Sequence, residues 1–148
     1  MEKTFIRVRS IKDIAISVSL IILGSVLVTL PTGTGVNIAG FFTIFAGLIL
    51  IFILKSGYKD TETGVLYKNK DYYFQQAMNA PISTALASKP ECIDLGEAGK
   101  GSAVKLEIYY SKTSGKAYLQ LFEYIPYRYE PCSQVYEHQI GKVEKLIK

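Results

Sequence analysis

Cys92, Cys132 and His138 are the residues with the chemistry for nucleophilic or metal work; the chain has two cysteines and one histidine in all. Cys132 stands just ahead of an expected helix, whose N-terminal dipole would favour a thiolate. A thiolate nucleophile also wants a base held beside it. His138 lies six residues on, on a different turn of that helix. No CxxC pair exists, and three donors without a fourth do not make a zinc site. The expectation is therefore no catalytic residue and no metal site, with both thiols reduced in a cytoplasmic setting.

The glycine-rich stretch Gly96–Ser102 (GEAGKGS) resembles a phosphate-binding loop only superficially. Two residues separate Gly96 from Gly99, and Gly101 follows Lys100 where the motif wants Ser or Thr. A strand is expected next, so the amide donors and dipole of a helix N-terminus are missing. No nucleotide and no other cofactor is expected.

All 11 tyrosines fall in residues 55–148, a region with 13 basic and 11 acidic side chains. That near balance lacks the basic face a nucleic-acid partner requires. Tyr109, Tyr118, Tyr127 and Tyr129 are the candidates for an exposed aromatic patch of the kind that marks protein interfaces. The competing role is cross-strand packing within a small sheet.

These side chains must be positioned by a domain that follows a long apolar stretch. Ile14–Leu54 contains no Asp, Glu, Lys, Arg or His and is interrupted once, by Pro31-Thr32-Gly33-Thr34-Gly35. The segments 14–30 and 36–54 reach roughly 26 and 29 Å as helices, close to the ~30 Å hydrocarbon core. The second holds 13 Ile, Leu, Val or Phe residues. They favour insertion by roughly 4 to 8 kcal/mol on a translocon scale. A transmembrane helical hairpin with its turn at 31–35 follows. Lys3, Arg7, Arg9 and Lys12 precede it, Lys55, Lys59, Lys68 and Lys70 follow it, and the turn is uncharged. The positive-inside rule then places both termini in the cytoplasm. The setting is an integral protein of a membrane such as the bacterial inner membrane, with lipid as its first partner.

Small residues allow close helix approach in lipid. Ser17 and Gly24 on the first span, and Ala39, Gly40, Thr43 and Gly47 on the second, are the candidate packing positions. They serve either the hairpin itself or contact between copies in a homo-oligomer.

Residues 1–13 form a lead whose cations suit an anionic leaflet. Residues 55–148 form one small α+β domain. Lys55–Thr63 reads as a linker, 64–67 and 72–74 as strands around a turn at 68–71, and Pro81–Lys89 as a helix. Cys92–Leu95 reads as a short strand. Val104–Tyr110 alternates with period two and pairs with Lys116–Ile125 in an antiparallel hairpin. Pro126 and Pro131 bracket an extended edge segment. A helix is expected over 133–147, capped by Ser133 and spaced by Tyr136, Ile140, Val143 and Ile147.

The function expected is a non-enzymatic, membrane-anchored interaction module whose domain binds a protein or lipid headgroups. The alternative is an oligomerising, membrane-perturbing or channel-like protein gated by its domain. A thiol-dependent enzyme ranks last.

Overall fold

The computed structural model describes residues 3–148. Its elements are β1 (Phe5–Val8), α1 (Ile11–Thr29), α2 (Thr34–Ile53), β2 (Gly57–Asp60), β3 (Leu66–Phe74), α3 (Asn79–Ser88), β4 (Val104–Ser111), β5 (Lys116–Ile125), β6 (Arg128–Pro131), β7 (Tyr136–Gln139) and α4 (Glu144–Ile147). The chain is α+β: two apolar N-terminal helices, an antiparallel sheet and a C-terminal helix. It forms two compact units. One is the hairpin, Arg7–Gly57, and the other joins the described residues through Ile6 to Tyr58–Lys148.

Within the hairpin, α1 and α2 approach until backbone touches backbone. A Cβ on Gly24 would stand 2.7 Å from the Gly40 carbonyl oxygen and from the Ile44 nitrogen. One on Gly47 would meet the Ser17 carbonyl oxygen at 2.9 Å. The buried small residues are Ser17 and Gly24 on α1 and Gly40 and Gly47 on α2. Each pair is seven residues apart, which puts its members on one stripe of a helix. Ala39 is exposed, and Thr43 is half-buried with its hydroxyl donating to the Ala39 carbonyl at 2.8 Å. Gly33, at φ +119°, supplies the turn that starts α2.

The base of the hairpin is closed by Asp13. Ser10 and Asp13 form a capping box at the start of α1. The Asp13 carboxylate also accepts from the Ser56 amide (2.8 Å) and the Ser56 hydroxyl (2.7 Å), drawing together both ends of the unit.

The sheet order is β1-β2-β3-β4-β5-β6, with β7 pairing β5 beyond the end of β6. β1 and β2 are neighbours, so the whole α1–α2 hairpin is the connection between two adjacent strands. On one face Phe74, Val104, Leu106, Ile108, Ala117, Leu119 and Leu121 pack against Ile82 and Leu86 of α3 and against Val143 and Leu146 near the C-terminus. The alternation read in 104–110 delivers this face directly, with Val104, Leu106 and Ile108 fully buried.

Four segments differ from expectation. Lys68–Asp71 does not turn, because β4 offers partners from Tyr110 to Glu107 and β3 runs through. Within Lys55–Thr63 lies β2, paired with β3. Cys92–Leu95 is not a strand: Pro90 and Asp94 start successive 3₁₀ turns instead, with Asp94 accepting from the Gly96 amide. The C-terminal helix is present but short. Tyr136–Gln139 is strand, because β5 has unpaired edge at Lys116–Leu119, and a 3₁₀ turn (Ile140–Val143) intervenes before α4. The apolar spacing that suggested a long helix is satisfied by strand, turn and helix in succession, since Tyr136, Ile140 and Ile147 all still touch the core.

Gly24→Val should open the hairpin at its closest approach and destabilise it by about 1–3 kcal/mol, the usual range for overpacking. Gly35→Ala, where nothing lies within 4 Å, should leave it unharmed. Thermal unfolding in detergent compares the two.

Candidate functional site: an aromatic groove on the open sheet face

Strand alternation sends Asp71, Lys105, Glu107, Tyr109, Tyr118, Gln120 and Phe122 to the face opposite the core. Their cross-strand pairs confirm the register: Asp71 opposes Glu107, Tyr109 opposes Tyr118, and Lys105 opposes Phe122. This face is not the one on which α3 and the C-terminal residues pack. It is met instead by the first residues of the sheet unit, Lys3 to Phe5. Phe5 stacks on Tyr109 with ring centroids 4.2 Å apart and 11° between planes, and meets Tyr67 edge-on at 5.4 Å. Tyr58 closes on the same Tyr109 ring at 5.1 Å.

Lys3 fastens this segment. Its ammonium lies 3.0 Å from Asp60 Oδ2, 2.7 Å from Glu62 Oε2 and 5.4 Å from the centre of the Tyr118 ring. Asp60 is fully buried. Burial works against its charge, but the Thr63 hydroxyl, the Lys3 ammonium and the Glu62 amide outweigh that and hold its pKa below the usual carboxylate range. The bonds to Glu62 and Asp60 raise the Lys3 pKa above the ordinary lysine value.

A second lysine is held the same way. Lys105 pairs with Glu107 and stands 3.7 Å from Asp71. Burial disfavours its charge, yet Glu107 prevails and the pKa is raised. One Asp71 oxygen, Oδ1, is buried without a hydrogen-bond partner. Burial, then the Glu107 carboxylate, pushes the Tyr109 hydroxyl well above its usual pKa, so the ring is neutral at any physiological pH.

Between Lys3–Phe5 and the β6–β7 connection lies a groove of about 340 Å³, floored by Glu107, Tyr109, Tyr118, Gln120 and Phe122 and walled by Pro131 and Val135. That volume falls at the low end of small-ligand and side-chain pockets.

Of the four tyrosines singled out above, three share this face and Tyr127 stands apart. Tyr109 and Tyr118 are neighbours on the groove floor, and Tyr118 is only 5% exposed. Tyr129 packs against Tyr73 and Tyr124 and donates its hydroxyl to the Ser102 carbonyl at 2.6 Å. Tyr127 projects alone at the β5–β6 turn, 97% exposed and with φ +79°. Sequence reasoning passed over Lys3 and Phe5, treated as part of the lead, and Asp13 with Ser56. The Ser10-x-x-Asp13 spacing is a capping-box signal; nothing local ties Ser56 to it.

The remaining candidates are separated. No helix starts at Ser133, so Cys132 lacks the dipole expected of one, and partial desolvation and then Glu123 raise its thiol pKa. His138 is engaged elsewhere, with Nε2 2.8 Å from the Leu86 carbonyl oxygen, which places the proton on Nε2. In the glycine-rich loop the Gly99 amide donates to the Tyr73 carbonyl at 2.7 Å and Lys100 pairs with Glu97. Among the described residues no three His, Cys, Asp or Glu gather as a metal site would require.

Lys3→Met should destabilise the sheet unit by about 2 kcal/mol at neutral pH, less than for a fully enclosed pair because Thr63 and the Glu62 amide still serve Asp60. The sign of the pH dependence follows from the same geometry. The Asp60 contribution is complete above its unfolded pKa of about 4 and is lost as pH falls through the lower folded value. The Lys3 contribution is complete below about 10.4 and fades only above that. Denaturant melts of wild type and Lys3→Met between these limits should differ by a constant amount, and converge in acid.

No family model, no curated protein and no solved structure matches this chain in comparisons with known proteins.

Proposed function

We propose that the chain is a non-enzymatic, membrane-anchored interaction module. The α1–α2 hairpin crosses the bilayer, both chain ends face the cytoplasm, and the open face of the sheet receives a protein partner. One observation carries the reading: the connection between two adjacent strands is a pair of long helices with apolar surface turned outward. In their most apolar stretches only 17% and 11% of residues are buried. The core helix of a soluble protein would be enclosed. Phe41, Phe42, Phe45 and Phe52 are each more than 60% exposed, a surface suited to lipid and unsuited to water.

Other features support it. Ser25, Thr29 and Thr43 each donate to a carbonyl of their own helix, an arrangement that suits hydrocarbon. Because β1 and β2 belong to one sheet, both ends of the hairpin have to emerge on one side of a membrane. The lysines and arginines flanking both ends favour the cytoplasmic side. Protein rather than nucleic acid is the partner that suits an aromatic face without basic excess.

Two measurements test the anchor. In intact cells, Thr34→Cys in a background with Cys92 and Cys132 replaced should react with a membrane-impermeant maleimide, whereas Cys92 and Cys132 of the unaltered chain, both exposed on the sheet unit, should not. External labelling of Cys132 would overturn the topology. Replacing residues 9–56 by Asn-Gly should join β1 to β2 through a tight turn and release a folded domain that no longer floats with vesicles. For the binding role, a photo-crosslinking residue at Gln120 should capture a protein in native membranes, and one at Lys70, on the opposite face, should not. Turnover of a substrate by the purified chain, abolished in Cys132→Ala, would sink the non-enzymatic reading.

A further inference from the structure

We infer that the groove is a strand-addition site, taking an extended, basic segment of a partner protein. This rests on the interaction-module reading and names what that module binds.

Backbone geometry makes the first argument. The Thr4 carbonyl accepts from the Thr61 amide at 3.2 Å and from the Thr61 hydroxyl at 3.1 Å, so it is turned towards the strand carrying β2. Peptide groups alternate sides along a strand, so those of Lys3 and Phe5 turn the other way. β1 ends the sheet order, and Lys3, Thr4 and Phe5 form one wall of the groove. An outward strand edge beside a groove is the geometry that accepts a strand from another chain; the added backbone gains main-chain hydrogen bonds and its alternate side chains drop onto the floor.

Charge makes the second. Lys3 is held by Asp60 and Glu62, Lys105 by Asp71 and Glu107, and Lys116, on the same face, by Glu137 alone. The eight groups leave a net charge of −2, three cations against five anions. One carboxylate oxygen in the set, Asp71 Oδ1, has no donor of its own. The floor rings Tyr118 and Phe122 are already faced by the Lys3 and Lys105 ammoniums, at 5.4 and 5.6 Å, so charge and not ring stacking selects the segment. Arginine or lysine side chains entering the groove meet net negative charge, and acidic ones meet repulsion.

The test uses the full chain in nanodiscs and a fluorescein-labelled probe, the hexapeptide Val-Arg-Val-Arg-Val-Arg. Fluorescence anisotropy should show saturable binding. The fully backbone N-methylated form, which cannot donate to a strand edge, and the Val-Glu counterpart should each bind at least about ten-fold more weakly. Val135→Trp, which fills the groove, and Val135→Lys, which adds a cation without filling it, should both weaken binding; near-UV circular dichroism verifies their fold. Failure of the arginine peptide to bind, equal binding by either control peptide, or undiminished binding by a folded Val135 variant overturns the inference. If the peptide fails while a crosslinker at Gln120 still captures a protein, the module reading stands and this one falls.

Discussion

Lys3 reaches a buried carboxylate, and much of the architecture depends on that reach. Asp60 sits fully enclosed where an unpaired charge would be expensive, and its partners include a cation from the far end of the sequence. Phe5, two residues on, lies flat against Tyr109. Ion pair and ring stack together hold the first strand beside the second, although 48 residues separate Val8 from Gly57. The hairpin is thereby an insertion within a sheet rather than an appendage ahead of one. An insertion between neighbouring strands has both ends on the same side of anything it crosses.

The sheet itself divides its labour by residue parity. Val104, Leu106 and Ile108 of β4 vanish into the core, with Tyr110 packed at its margin, while Lys105, Glu107 and Tyr109 stand on the other face. α3 and the C-terminal residues pack on one face, and on the other the charged and aromatic side chains satisfy one another. They do so as two lysines each bracketed by acids, laid over rings. Such a surface is ordered yet incompletely filled, and the groove between β1 and the β6–β7 connection is where the filling stops.

The hairpin obeys a different logic. Contact between its two helices depends on close approach, and Gly24, Gly40 and Gly47 allow backbone to touch backbone. Asp13 then does at the base what no apolar residue could: its one carboxylate accepts from the amide of Ser10, which caps α1, and from the amide and hydroxyl of Ser56 in the chain leaving α2.

Properties that depend on neighbours in sequence were legible without coordinates: the two apolar helices, the 104–125 hairpin, the helix ending near Lys89 and the balance of charge. Periodicity and composition are local, and the burial they imply needs no knowledge of which element lies opposite. Some small packing residues were legible too, although Ala39 and Thr43 looked as good as Gly40, because spacing alone cannot tell which stripe of a helix meets its partner. What only the tertiary structure decided were pairings across long separations. Lys3 with Asp60, Asp13 with Ser56, and Tyr136–Gln139 with the vacant edge of β5 all join segments that give no hint of one another. In the last case an open row of backbone donors and acceptors outweighed a good helical spacing, because a strand edge must be satisfied and an apolar stripe can be buried in more than one conformation.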